Sequence, residues 1–296
     1  MSHAASSPAT LTPQSEHPDP AHVQQLVRRA LDEDLGAGDL TAALIPAAAR
    51  CRASVVVRED AVLCGTAWFD TVYAALSAAV RVHWDARDGD RVRAGQAICR
   101  VHGPARAINS GERTALNLLQ TLSGTATAAR RHADAVAGAS TLILDTRKTL
   151  PGLRVAQKYA VRCGGCANHR MGLHDAMLIK ENHIAAAGSL RAAVLGARAA
   201  HPGKPLELEV ETLAQLDEAL ELAVPMIMLD NFAPADIRTA VARSRGRARL
   251  EVSGGVSLES LAELAATGVD FISVGAITKH LRAVDFSMRV EDVSAA

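Results

Sequence analysis

Apolar side chains recur at helical spacing near the start of the chain. Val23, Leu26, Val27, Ala30 and Leu31 predict an amphipathic helix from Asp19 or Pro20 to Leu35. Gly36-Ala37-Gly38 ends it, because glycine accepts the left-handed backbone of a helix C-cap. Short β-like runs follow at Ala53–Val57, Ala61–Cys64, Val80–Trp84 and Ala97–Val101. Between the last two, Asp88 to Gln96 carries bracketing glycines that suit a tight turn pair. This region reads as a small mixed domain, a sheet with a helix packed on it. A long helix is expected from Ser110, a plausible N-cap, to about Ala137, with Leu116, Leu119, Leu122 and Ala126 as its buried stripe. The small residues Ser123 to Thr127 would either admit a close backbone or break the helix.

Beyond Ala139 short apolar strands alternate with Ala/Leu/Glu-rich helices. The strand candidates are Thr141–Leu144, Met177–Ile179, Leu206–Val210, Met226–Leu229, Leu250–Val252 and Phe271–Val274. Their C-terminal ends carry Asp145, Lys180, Glu211, Asp230, Ser253 and Gly275, each about one strand–helix unit from the next. Continuous apolar strands separated by helices imply parallel strands covered on both faces. Polar residues at strand end after strand end favour a (β/α) barrel over the competing doubly wound open sheet, since barrel sites collect there. Six strands are legible, which falls short of a complete eight-stranded barrel.

The length of 296 residues fits about two domains. The 32 basic and 32 acidic side chains cancel, so there is no global footprint for nucleic acid and no acidic tail. Aromatics are scarce, with four Phe, two Trp and two Tyr, which weakens any reading built on base stacking. No apolar stretch is long enough for a membrane helix. Residues 1–19, rich in Ser, Pro, Ala and His, lack the basic start and apolar stretch of a secretory signal and read as a disordered tail. An odd set of five cysteines in a chain of this length points to a reducing compartment, the cytoplasm.

Against that neutral background, cations cluster. Arg147 and Lys148 directly follow a strand, in a loop shaped by Pro151-Gly152. Asn168-His169-Arg170 comes next, and Lys180 closes an apolar strand, where an ammonium is costly to bury without an anionic partner. Together they could line one cationic pocket for a small polyanion, carboxylate or phosphate, held by bidentate guanidinium contacts. Solvated loop cations are the bland alternative. Opposite in sign, Glu207, Glu209 and Glu211 share one strand face, and Asp230 ends the next strand. Acids there would hold ribose hydroxyls or a hard cation such as Mg²⁺, or merely neutralise the cations. The loops Ser253-Gly254-Gly255 and Val274-Gly275-Ala276 each follow a strand and are expected to precede a helix, where barrels often cradle phosphate. Cys163 and Cys166 have C-x-x-C spacing, and His169 or His174 could complete a zinc site; two incidental thiols are the favoured reading.

The whole constellation resembles the quinolinate phosphoribosyltransferase family. The match lies in Arg113–Thr127, Asp145–Arg154, Asn168–Arg170, Leu178–His183, Glu207–Glu211, Ile227–Phe232, Glu251–Val256 and Phe271–Lys279, in order over about residues 20 to 290. The resemblance implies an α/β fold, a small N-terminal α/β sandwich domain plus an incomplete TIM-like barrel. It implies a tail at 1–19, an N-terminal domain at 20–126 with 284–296 packing back on it, and a catalytic barrel at 127–283. The implied reaction joins quinolinate and phosphoribosyl pyrophosphate into nicotinate mononucleotide, pyrophosphate and CO₂, with Mg²⁺, in de novo NAD synthesis. A homodimer is implied, in which Arg113 reaches the neighbouring site. By the same resemblance Arg147, His169 and Arg170 hold the quinolinate carboxylates beside Thr146. Lys148, Lys180, Glu209 and Asp230 carry the catalytic roles, the two acids with the ribose and Mg²⁺. Ser253, Gly254, Gly255, Val274, Gly275 and Ala276 receive the 5′-phosphate. One departure stands out: Cys166 replaces the third glycine before Asn168, and its Cβ would disturb the loop if that position needs positive φ. Among rivals, a biotinyl or lipoyl carrier reading of Gly89–Gln96 fails because residues 50–110 contain no lysine. A paralogue associated with molybdate transport is disfavoured by the presence of Arg113 with both cationic motifs, and a purely structural barrel leaves the charged strand ends unexplained.

Overall fold

A computed structural model describes residues 17–294 of the chain. Residues 1–16 of the expected tail lie outside them. In chain order the elements begin α1 (Pro20–Leu35), β1 (Arg50–Val57), β2 (Ala61–Val62), α2 (Thr66–Leu76), β3 (Arg81–Trp84), β4 (Arg91–Val92), β5 (Ala97–Pro104) and α3 (Ala105–Ala135). Then come β6 (Leu142–Leu144), α4 (Arg154–Cys163), β7 (Met177–Ile179), α5 (Glu181–Ala187), α6 (Leu190–Ala200), β8 (Leu206–Val210), α7 (Leu213–Glu221) and β9 (Met226–Asp230). The last are α8 (Pro234–Ser244), β10 (Arg249–Ser253), α9 (Leu261–Ala265), β11 (Phe271–Ser273), α10 (Ala276–Lys279) and β12 (Phe286–Ser294). They form two compact units. One holds residues 17–130, 149–165 and 277–294, and the other 131–148 and 166–276.

The first unit is built on an antiparallel sheet of order β12-β1-β5-β3. Its core draws on Val55, Val57, Ile98 and Val101 from the sheet, on Trp68, Phe69, Val72 and Tyr73 from α2, and on Leu116, Leu119 and Leu122 from α3. At about 1.5–3 kcal/mol for each large side chain taken out of water, this cluster is the main source of the unit's stability. Helix α1 starts where Asp19 accepts a hydrogen bond from the N–H of Ala21 and Pro20 pre-sets φ at the first turn. Helix α2 was not among the predicted elements. Its apolar residues are nearly continuous, so no helical stripe stands out in the pattern.

Helix α3 begins at Ala105, five residues before the expected start. Ser110 therefore lies inside the helix, where its hydroxyl donates to Asp39 at 2.7 Å and caps nothing. The run Ser123–Thr127 does not break the helix. A Cβ on Gly124 would meet the backbone carbonyl of Arg282, so the small residue there admits the irregular segment that precedes β12.

The second unit is a parallel six-stranded sheet of order β6-β11-β10-β9-β8-β7. Its strands fall where the apolar runs predicted them. The two end strands, β6 and β7, do not pair with each other among the described residues, and Ala167 adds one parallel bridge to Leu144. The result is an incomplete α/β barrel. In β8 all five residues are buried, and alternation sends Leu206, Leu208 and Val210 to one face and Glu207 and Glu209 to the other. Register extends that second face across the sheet, with Glu209 beside Met228 and Met228 beside Glu251. Glu211 follows the strand and is exposed. Among the described residues no helix is long and apolar enough to cross a membrane.

Candidate active site

The barrel face that carries Glu207, Glu209 and Glu251 opens into a cavity of about 350 Å³. Its wall is made by residues of matching parity on four of the strands, Leu178 and Lys180, Met228, Glu251 and Ser253, and Ser273, whereas Glu207 and Glu209 of β8 and Asp230 are not in the wall itself. Thr146, Arg147 and Lys148 enter from the loop after β6, and His169 and Arg170 from the loop before β7. Four basic side chains, Arg147, Lys148, Arg170 and Lys180, thus meet around one space inside a chain of zero formal net charge. Such a space suits a ligand with several negative charges.

Buried hydrogen bonds hold the loop that bears His169 and Arg170. Asp145, fully buried at the end of β6, accepts from Asn168 Nδ2 at 2.5 Å and from the His169 N–H at 2.9 Å. Asp175 accepts from the N–H groups of Met171 and Gly172 at 2.6 and 3.0 Å and closes the following turn. Arg170 Nη1 donates to the Ala176 carbonyl at 3.1 Å. Burial first, and then the neighbouring Arg147, lower the pKa of the Arg170 guanidinium. The two arginines act on one volume. Cys166 stands outside the positive-φ residues; the left-handed position of this loop is Gly165, at φ 92°. The third-glycine substitution is therefore accommodated without backbone strain.

Nδ1 of His169 is hydrogen-bonded within the protein, while Nε2 is in close contact with two buried carboxyls without a hydrogen bond to either. Nδ1 accepts the N–H of Arg170 at 2.8 Å. Nε2 lies 2.9 Å from Glu207 and 3.5 Å from Glu251. Those carboxyls are 1% and 0% exposed, and burial pushes each up to about 8. Glu251 was not among the expected site residues, and Glu207 was expected only as one of the strand's acids, for ribose hydroxyls, a cation or simple neutralisation, not as a partner of His169. The polar positions 207 and 251 in apolar strands were the available signal, but nothing in the sequence tied them to His169.

Lys180 pairs with Glu209 on the neighbouring strand β8. Burial foremost, with Asp230 adding to it, pushes the Glu209 carboxyl up against the pull of Lys180. Asn231 donates to Asp230 at 2.8 Å and holds a positive φ of 56°. A Cβ on Gly254 would run into the Asn231 side chain, which is why that loop needs glycine. A Cβ on Gly275 would sit 2.9 Å from Lys148 Cδ and 3.3 Å from Thr146 Oγ1, so Gly275 makes room for the Lys148 stem. Gly254, Gly255, Val274, Gly275 and Ala276 are not in the cavity wall itself. The Ser253–Gly255 loop also does not lead straight into a helix, since α9 starts only at Leu261. Two positive-φ glycines, at 91° and 60°, turn the chain away first. Arg113 belongs to the other unit, on α3, with its side chain 60% exposed. Among the described residues Cys163 gathers with Cys64 and Asp88, and no cluster joins it to Cys166 and a histidine.

Two family models match in tandem. One described as the quinolinate phosphoribosyl transferase N-terminal domain covers residues 39–123, and one described as the C-terminal domain covers 125–289. The chain is 45% identical to nicotinate-nucleotide pyrophosphorylase (carboxylating) of Mycobacterium leprae over 272 residues, covering 88% of this chain and 95% of that protein. It is 41% identical to a probable enzyme of the same name from Bacillus subtilis, over 90% of this chain and 93% of that one. The solved nicotinate-nucleotide pyrophosphorylase of Francisella tularensis superposes with a TM-score of 0.92 at 44% identity, covering 95% of this chain and all of that one.

Proposed function

Because the chain belongs to the quinolinate phosphoribosyltransferase family, we propose that the cationic cavity seats quinolinate and the pyrophosphate donor side by side. The reaction is that of a decarboxylating pentosyltransferase of NAD biosynthesis: quinolinate and phosphoribosyl pyrophosphate give nicotinate mononucleotide, pyrophosphate and CO₂. The observation that carries the site assignment is the meeting of Arg147, Lys148, Arg170 and Lys180 around one volume.

Arg147 and Arg170 take the two carboxylates, whose planar oxygen pairs match a guanidinium fork, with His169 and Thr146 bordering the same space. Lys148 and Lys180 lie between the two anionic reactants and offset their repulsion. Glu209 and Asp230 face the ribose and support positive charge as it spreads over the ring when pyrophosphate departs. Ser253–Gly255 and Val274–Ala276 receive the 5′-phosphate. Most of the rate gain then comes from positioning and fixed charge. Glu209 and Asp230 also fit Mg²⁺: both offer only hard oxygen donors, and they would hold the ion where the Asp230 charge that pushes Glu209 up is offset. When bound, Mg²⁺ supplies charge neutralisation to the pyrophosphate.

The assembly is a homodimer in which the partner subunit's Arg113 completes the site; the half-exposed guanidinium on α3 is available for it. The five free cysteines support a reducing, cytoplasmic setting. The decisive experiment supplies purified protein with Mg²⁺, phosphoribosyl pyrophosphate and either quinolinate or nicotinate, and follows CO₂ and nicotinate mononucleotide. Equimolar release of both from quinolinate, with nicotinate inert, is expected. A folded protein that forms no product, or that uses nicotinate equally well, overturns the assignment.

A further inference from the structure

Two glutamates with no role in the reading above are buried on the barrel strands. Glu207 on β8 and Glu251 on β10 are fully buried on either side of β9, and both approach His169 Nε2. Three ligand-type groups in such proximity raise the question of a cation. Proton bookkeeping on the imidazole answers it. Nδ1 accepts a hydrogen bond from the Arg170 N–H, so Nδ1 carries no proton. A neutral ring must then carry its proton on Nε2, the nitrogen aimed at the two carboxyls. A protonated Nε2 cannot ligate a metal; its N–H faces the two carboxyls at 2.9 and 3.5 Å, and the contact is electrostatic rather than a formed hydrogen bond.

The donor geometry also says what the arrangement does. The ring is clamped at one end by the carboxyl pair and at the other by the backbone of Arg170. That backbone in turn carries the guanidinium at the cavity wall. Asp145 fixes the same loop from the His169 N–H. Without the two carboxyls the buried Nε2–H would lose the partners that orient it, and either a flip or the other tautomer would remove the acceptor that Arg170 uses. The other tautomer would also turn a donor toward the Arg170 N–H.

We propose that Glu207 and Glu251 are positioning residues for quinolinate: acting through the Nε2–H tautomer of His169, they fix Arg170 against the substrate carboxylate. The inference rests on the quinolinate reading of the cavity. Its test separates the two.

Three variants are compared in the full-length protein. Glu207→Met keeps the volume and removes the acceptor, Glu207→Gln keeps an acceptor oxygen, and Glu251→Gln does the same at the more distant carboxyl. Glu207→Met should raise the quinolinate KM about tenfold while leaving the phosphoribosyl pyrophosphate KM within about twofold, since a tenfold change corresponds to about 1.4 kcal/mol. Glu207→Gln should recover most of the wild-type KM. In parallel, ¹⁵N NMR of the histidine side chains reads the tautomer with no turnover involved. The wild type should give a protonated Nε2 and an unprotonated Nδ1 for His169, and Glu207→Met should lose that signature. If Glu207→Met fails to fold, Glu251→Gln and the wild-type spectrum carry the test. A wild-type Nδ1–H tautomer, or stoichiometric divalent metal bound at His169, overturns the proposal. So does a Glu207→Met enzyme with unchanged quinolinate KM, or one in which both KM values rise together. If the wild type turns over no quinolinate yet shows the Nε2–H ring, the substrate reading fails and the clamp on Arg170 stands.

Discussion

At the residue scale, the guanidiniums and ammoniums at the cavity owe their positions to groups behind them. Asp145 holds the loop of His169 and Arg170, Gly275 clears space for the Lys148 stem, and Glu209 holds Lys180. The division of labour makes a clean prediction for Arg147. Arg147→Ala should fold normally and lose at least about thirtyfold in kcat/KM for quinolinate, the equivalent of about 2 kcal/mol for a hydrogen bond to a charged group. Steady-state kinetics beside a thermal melt checks it. Wild-type turnover would remove the carboxylate role. Several of these residues were legible beforehand: an arginine, two lysines and an Asn-His-Arg triplet placed at strand ends speak for an anion site. Glu207 and Glu251 were not, because an acid in a buried strand has no visible partner until the strands are stacked side by side.

At the element scale, the parallel strands were readable because both faces of each are covered and the apolar run therefore has no gaps. Helix boundaries were less so. Ser110 looks like a cap, yet it bonds to Asp39 from within α3, and the helix start is set by the end of β5. Gly124 carries a prediction of its own. Gly124→Ala would push a Cβ into the Arg282 carbonyl and should cost about 1–3 kcal/mol of stability, as overpacking does, despite alanine's better helix propensity. Urea unfolding measures it; a stabilised variant would mean that the two segments are free to separate. Asp39 gives a pH signature. The Ser110 hydroxyl, followed by the N–H groups of Ala42 and Thr41, holds its carboxyl below the ordinary value of 3.8. A depressed folded pKa contributes stability above the unfolded value and loses it as pH falls through the folded one. Asp39→Asn should therefore lower Tm at pH 7 and converge on wild type as the solution is acidified toward about pH 3. A gap that is constant across that range would show that the charge plays no part.

At the scale of the whole molecule, the first unit holds the N-terminal sheet and the second holds the cavity, and the chain passes between them more than once. Strand β12, near the C-terminus, is an edge of the first unit's sheet, paired along β1 from Arg50 to Val57. The dimer expectation is tested at this scale. Arg113→Ala and Lys180→Ala, each inactive alone, should restore activity when their dimers are mixed and allowed to exchange. One intact site forms in each mixed dimer, so the yield should approach about a quarter of wild type after random exchange of a two-fold assembly. No recovery, with exchange verified by mass, would place Arg113 outside a shared site.

The sequence by itself determined the strand order along the chain, the barrel class and the cationic chemistry of the pocket. Period, run length and residue type are local properties, and each survives folding unchanged. Only the tertiary structure decided which acid faces which base. Cross-strand register brings Glu251 level with Met228 and Glu209, and loop closure drops His169 between Glu207 and Glu251. Helix α2 and the start of α3 were also tertiary outcomes, since burial on several sides erases the stripe by which a helix is recognised. Contacts between residues tens of positions apart depend on how the chain returns on itself, and linear spacing carries no record of that path.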